Sequence, residues 1–116
     1  MDTLDSYKKI FANKKRVMFV FAHPDDAEIF AGGTIARLTS DGKDVRVVKV
    51  TSGNKGSRQQ KISESELGTA REHEDKEAMK ILGIKSENNI YLKLGDGEVD
   101  NSLKTIEKIV YQIREF

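Results

Sequence analysis

Cysteine is absent from the 116 residues, which excludes disulfides and any thiolate-held metal. A metal in this chain has to be bound by imidazole and carboxylate. Histidine is scarce, with two copies. An excess of either charge is also missing, since 20 Lys and Arg against 19 Asp and Glu leave a formal net charge of +1. That argues against a strong grip on nucleic acid, which shows itself as a basic excess or stripe. The opening segment, MDTLDSYKKIFANKK, holds no apolar run able to act as a signal h-region or to cross a bilayer. No transmembrane segment is expected, and the default location is cytoplasmic. Leu4, Tyr7, Ile10 and Phe11 have helical spacing instead, as in a short amphipathic helix packed on the domain.

What is present fits one modest domain with a single core: 37% hydrophobic and 34% charged residues. Val17–Phe21 is a continuous apolar run, and Val45–Val50 is a second, rich in β-branched residues. Such runs suit parallel strands covered on both faces. Between them Ala27–Ser40 reads as a helix closed by the Asp41-Gly42 turn. A polar stretch over 52–65 comes next, expected as a loop able to close over a ligand. Residues 66–82 then read as a helix capped by Gly83, 89–92 as a strand, Asp96-Gly97 as a turn and 102–114 as a last helix. This alternation predicts an α/β, Rossmann-like open sheet of mainly parallel strands flanked by helices. The last helix runs to Phe116 without a cap or turn, whereas a helix of this topology normally feeds another strand. Residues 1–116 are therefore expected to be one domain, incomplete at the C-terminus, with an unpaired sheet edge that invites homo-oligomers.

The segment that carries chemistry is Ala22-His-Pro-Asp-Asp-Ala-Glu28, at the junction of the first strand and first helix. Ligands of doubly wound sheets bind at the carboxyl ends of strands. Pro24, the only proline, sits where a helix begins and its missing N–H costs little. His23 and Asp26 are spaced to converge on one metal ion, and zinc accepts imidazole nitrogen and carboxylate oxygen. Asp25 would then be free to take a proton from water. Spacing alone leaves a second reading open, in which these residues only cap the helix, because Asp favours helix N-termini.

Ala22-His-Pro-Asp-Asp-Ala-Glu28 resembles the AHPDDxE signature of the LmbE-like/PIG-L deacetylase superfamily. The likeness continues through Gly32-Gly33-Thr34-Ile35-Ala36, Val50-Thr51-Ser52-Gly53, Arg71-x-x-Glu74 with Ala78, Leu82-Gly83, and Asp96-Gly97. The resemblance implies a zinc-dependent N-deacetylase acting on a small N-acetylglucosamine-type sugar or conjugate. It places zinc on His23 and Asp26, makes Asp25 the general base, and puts Arg71 and Asp96 against the sugar. Glu28 gets a supporting role. A site of imidazole and carboxylate would also accept iron or cobalt.

The chain departs from the family in one respect: the third zinc ligand, a His in an HxxH-like motif on a later strand, has no counterpart here. His73, the other histidine, lies roughly 120° from an apolar stripe of Leu67, Ala70, Ala78, Ile81 and Leu82, and should face solvent. Arg71 and Glu74 fall inside that stripe, so either Arg71 serves the substrate or the two form an intrahelical pair. Gly32-Gly33 within a helix implies close packing or substrate approach. Gly53-Asn-Lys-Gly-Ser lacks the spacing of a phosphate loop. The rival reading is a truncated, non-catalytic module of the same fold that binds a sugar or nucleotide. A third is a metal-free interaction domain.

Overall fold

The computed structural model describes residues 5–54 and 63–116. Its elements are α1 (Ser6–Phe11), β1 (Arg16–Phe21), α2 (Asp26–Ser40), β2 (Asp44–Thr51), α3 (Glu64–Ile81), β3 (Asn89–Leu94) and α4 (Leu103–Glu115), with a 3-10 turn over Ser86–Asn88. The strands form one parallel sheet in the order β1-β2-β3. This is the α/β architecture that the alternating pattern predicts, with boundaries moved by one or two residues.

β2 is the central strand, and residues alternate between its faces. Val45, Val47 and the neighbouring Lys49 turn towards α2 and α3, where Ile35, Leu38, Met79, Ala27 and Ile84 complete the core. Each fully buried side chain of this size contributes about 1.5–3 kcal/mol. The opposite face is met by α4, where Arg46 donates to Gln112 Oε1 at 3.3 Å and lies 4.8 Å over the Phe116 ring. Covering on both faces explains why β2 reads as an apolar run rather than as an alternating strand, whereas in β1 Val20 stays 43% exposed.

α3 begins two residues earlier than the sequence pattern places it, because Ser63 and Glu66 form a reciprocal capping box. α2 and α3 are tied at their ends. Thr39 Oγ1 donates to the Leu82 carbonyl at 2.6 Å. Gly83 sits at φ +86°, where an added Cβ would come 2.8 Å from Thr39 Oγ1. At the N-terminus Tyr7 and Phe11 pack against the core as expected, while Ile10 stays exposed. Leu4 lies outside the described residues.

Two expectations are corrected. The buried face of α3 is not the stripe of Leu67, Ala70, Ala78, Ile81 and Leu82, since Ile81 is 84% exposed and Ala70 is also exposed. It is centred on Gly68, Asp75 and Met79, rotated by roughly 100°, about one residue of helix. The cause is a buried charge, Asp75, that is neutralised from the sheet, so apolarity is a poor guide to this helix. Glu74 accordingly faces solvent, as does His73. Gly32 and Gly33 make no close approach either: a Cβ at each would meet nothing within 4 Å.

Candidate active site

The carboxyl end of β1 runs directly into the site. Ala22 is fastened to β2, its carbonyl accepting from Thr51 N at 2.9 Å and from Thr51 Oγ1 at 2.8 Å. The chain then turns through His23 and Pro24 into α2. Asp25, the residue at the helix N-cap, has φ +82°, a left-handed backbone that is uncommon outside glycine and concentrates at functional sites. Its side chain makes no capping hydrogen bond. The capping-only interpretation therefore fails for Asp25, whose carboxylate turns away to meet Arg71 Nη1 at 2.8 Å.

His23 and Asp26 come together. Asp26 Oδ2 accepts from the backbone N–H of His23 at 3.0 Å and lies 3.5 Å from its Nδ1. Two ligands of a tetrahedral zinc at bond lengths of about 2.0–2.1 Å stand about 3.4 Å apart, so this pair fits one edge of such a site. Among the described residues no group of three His, Cys, Asp or Glu is placed to hold a metal. The other ring nitrogen, His23 Nε2, is 2.7 Å from Asp96 Oδ1.

Asp96 reaches this position through an irregularity in β3. Lys49 pairs with Tyr91 and Thr51 with Leu94, so β3 carries one extra residue between the two pairs. Lys93 absorbs it with φ +60°. A bulge of this kind re-aims the chain beyond it, and here it directs the Gly95–Glu98 turn towards β1. Asn54 holds that turn, its Oδ1 accepting from Asp96 N at 2.9 Å. Together His23, Pro24, Asp25, Asp26, Ile29, Gly53, Arg71 and Asp96 line one open cleft of about 270 Å³. All five residues expected at a site thus meet in one place. The expected loop over 52–65 lies outside the described residues between 55 and 62.

A buried polar cluster lies next to the site, and no sequence pattern pointed to it. Lys49 and Asp75 are fully buried, with Nζ 2.9 Å from Oδ2. Asp75 also accepts from the Tyr91 hydroxyl at 2.5 Å, and Lys49 donates to Asn89 Oδ1. Burial pushes the Lys49 ammonium below its usual range, against the opposing charge of Asp75. Glu28, the last residue of the motif, faces the same cluster. Its carboxyl is pushed up to about 7, first by burial, then by the Asp75 charge and a hydrogen bond to it, and then by Asp25. A proton on Glu28 turns a repulsive pair of carboxyls into a hydrogen bond. The available signal was Lys49 itself, a lysine inside a run of valines.

Fold and site together define a domain of the PIG-L type. The chain belongs to the PIG-L family, GlcNAc-PI de-N-acetylase, whose sequence model matches residues 18–116. It is similar to the diacetylchitobiose deacetylase of Thermococcus kodakarensis, with 36% identity over 105 residues, 90% of this chain and 39% of the relative. It is also similar to the 1D-myo-inositol 2-acetamido-2-deoxy-alpha-D-glucopyranoside deacetylase of Rhodococcus erythropolis, 53% identical over 45 residues, or 39% of this chain and 15% of that protein. Among solved structures, the N,N'-diacetylchitobiose deacetylase of Pyrococcus horikoshii superposes with a TM-score of 0.85 at 27% identity, covering 99% of this chain and 47% of the other. The 4-carboxy-2-hydroxymuconate hydratase GalB of Pseudomonas putida superposes at 0.78 with 26% identity, over 87% of this chain and 43% of that one. The chain thus spans less than half the length of each of these relatives. Among the described residues no helix is long and apolar enough to cross a membrane.

Proposed function

We propose that this chain carries the base and two metal ligands of a zinc-dependent N-deacetylase acting on an N-acetylglucosamine-type sugar or conjugate. The observation that carries the reading is the convergence of His23 Nδ1 and Asp26 Oδ2 to 3.5 Å beside a carboxylate, Asp25, that does not cap its helix. Zinc bound there would polarise the acetyl carbonyl and lower the pKa of a water towards about 7.

The chain's own residues do the rest. Asp25 accepts the proton of the attacking water and returns it to the departing nitrogen, so that the amide C–N bond breaks to give acetate and a free amine. Arg71 fixes the orientation of that carboxylate. It stands in the cleft wall, where a planar guanidinium suits sugar hydroxyls or a phosphate. Asp96, on the opposite side of His23, offers a carboxylate to the same sugar. The remaining ligand would come from sequence outside residues 1–116 or from a partner chain.

One observation favours a second reading. Among the described residues His23 and Asp26 are two candidate ligands where a catalytic zinc usually has three, which suits a module that binds a sugar without turning it over. Zinc titration by calorimetry, with His23→Ala as control, separates the two when paired with release of acetate from N,N'-diacetylchitobiose. One-to-one binding lost in the variant, together with acetate release, supports the deacetylase. Binding of sugar without zinc or acetate would establish the module.

A further inference from the structure

A neutral imidazole carries one N–H, and which nitrogen holds it is set by the partners of the ring. For His23 these partners are both carboxylates: Asp96 Oδ1 lies 2.7 Å from Nε2, and Asp26 Oδ2 lies 3.5 Å from Nδ1. The two contacts compete. If the proton sits on Nδ1, it faces Asp26 Oδ2 across 3.5 Å, and that nitrogen has no lone pair to offer a metal. If it sits on Nε2, Asp96 accepts it, and Nδ1 presents a lone pair on the side of Asp26. The shorter contact is to Asp96, within the range of a charge-assisted bond.

We propose that Asp96 is a positioning residue that holds His23 as the Nε2–H tautomer and so keeps the His23–Asp26 pair open to a metal. The inference rests on the proposed metal site and gives Asp96 a task beyond contact with sugar. Three features hold Asp96 for it. The extra residue in β3, taken up by Lys93 at φ +60°, directs the chain out of the strand just before Gly95. Asn54 Oδ1 then accepts from Asp96 N at 2.9 Å, and the turn closes where Glu98 N donates to the Gly95 carbonyl at 3.0 Å. Gly97, at φ +77°, completes that turn. A carboxylate behind a metal-bound imidazole typically contributes 10–100-fold in metal affinity.

The test reads the tautomer first, without metal, from the imidazole nitrogen-15 shifts of His23 in buffer where the ring is neutral. The unaltered chain should show Nε2–H. Asp96→Ala should move the population towards Nδ1–H, and Asp96→Asn, which keeps an acceptor oxygen, should retain most of the Nε2–H form. Calorimetry with zinc should then show a 10–100-fold loss for Asp96→Ala and a smaller one for Asp96→Asn. An unchanged tautomer in Asp96→Ala overturns the proposal, with circular dichroism confirming that the variant is folded. Failure of the unaltered chain to bind zinc overturns the metal site instead, and the tautomer result is decided independently of it.

Discussion

Arg71 and Asp25 are 46 residues apart in sequence and 2.8 Å apart in space, and their pair holds a carboxylate that stands on a left-handed backbone at the N-terminus of α2. Both side chains are about one-third exposed, at 29% and 32%. The pair should therefore add less than about 1 kcal/mol to stability. Its value lies in geometry, because misplacing a reacting group by an ångström costs about 100-fold in rate. On the proposed deacetylase activity, Arg71→Ala in the protein with its full metal site is expected to leave the melting temperature nearly unchanged and to lower the rate of acetate release by about that factor. Arg71→Lys should recover little, since a single ammonium lacks the guanidinium's fork. Wild-type turnover in Arg71→Ala would remove Arg71 from the site.

Gly53 makes that pair possible. It lies at φ +67°, and a Cβ there would come 3.1 Å from Arg71 Cδ and 3.3 Å from Pro24 Cδ. Gly53→Ala meets backbone strain and two tight contacts at once, and is expected to destabilise by about 1–2 kcal/mol. Unlike Arg71→Ala, it should lower both the melting temperature and turnover. A neutral effect on both would mean that the loop moves freely away from Arg71.

The legible part of this protein was the part written in short-range patterns. Val17–Phe21, Val45–Val50 and the Asp41-Gly42 turn marked the strands and the end of α2 through periodicity and turn chemistry, and His23 to Asp26 stood out by residue type and spacing. Two kinds of feature stayed hidden. The first is long-range neutralisation: Asp75 is buried because Lys49 meets it from the sheet, and nothing within α3 announces that, so the apolar stripe pointed to the wrong face. The second is local register. The contact of Asp96 with His23 depends on one extra residue in β3, and an Asp-Gly pair reads the same whether or not a bulge precedes it.

Asp100 gives the clearest pH dependence. Its Oδ1 accepts from the hydroxyls of Thr105 and Ser102, each at 2.7 Å, at the start of α4. These bonds lower its carboxyl from 3.8 to about 2. A depressed folded pKa means that the stabilisation is complete above the unfolded value and is lost as pH falls through the folded one. The first turn of α4 should thus loosen between pH 3.8 and about 2. Asp100→Asn, which cannot ionise, should remove that step. Amide exchange of residues 103–106 during an acid titration reads it, and parallel curves for both proteins would count against the assignment.

Lys49 and Asp75 offer the strongest stability test, because both are fully buried. Removing one partner leaves an uncompensated buried charge, so Lys49→Met is expected to cost about 3–5 kcal/mol. Removing both with apolar replacements of similar size is often neutral or stabilising, but here Asp75 also accepts from Tyr91. Lys49→Met with Asp75→Leu should still recover most of the loss, since the Tyr91 hydroxyl keeps Asn89 Nδ2 as a donor at 2.9 Å and the Glu72 carbonyl as an acceptor at 3.4 Å. Urea unfolding of the single and double variants measures each step. If the double variant is no more stable than Lys49→Met alone, the loss comes from the packing of the lysine stem rather than from the charge of Asp75.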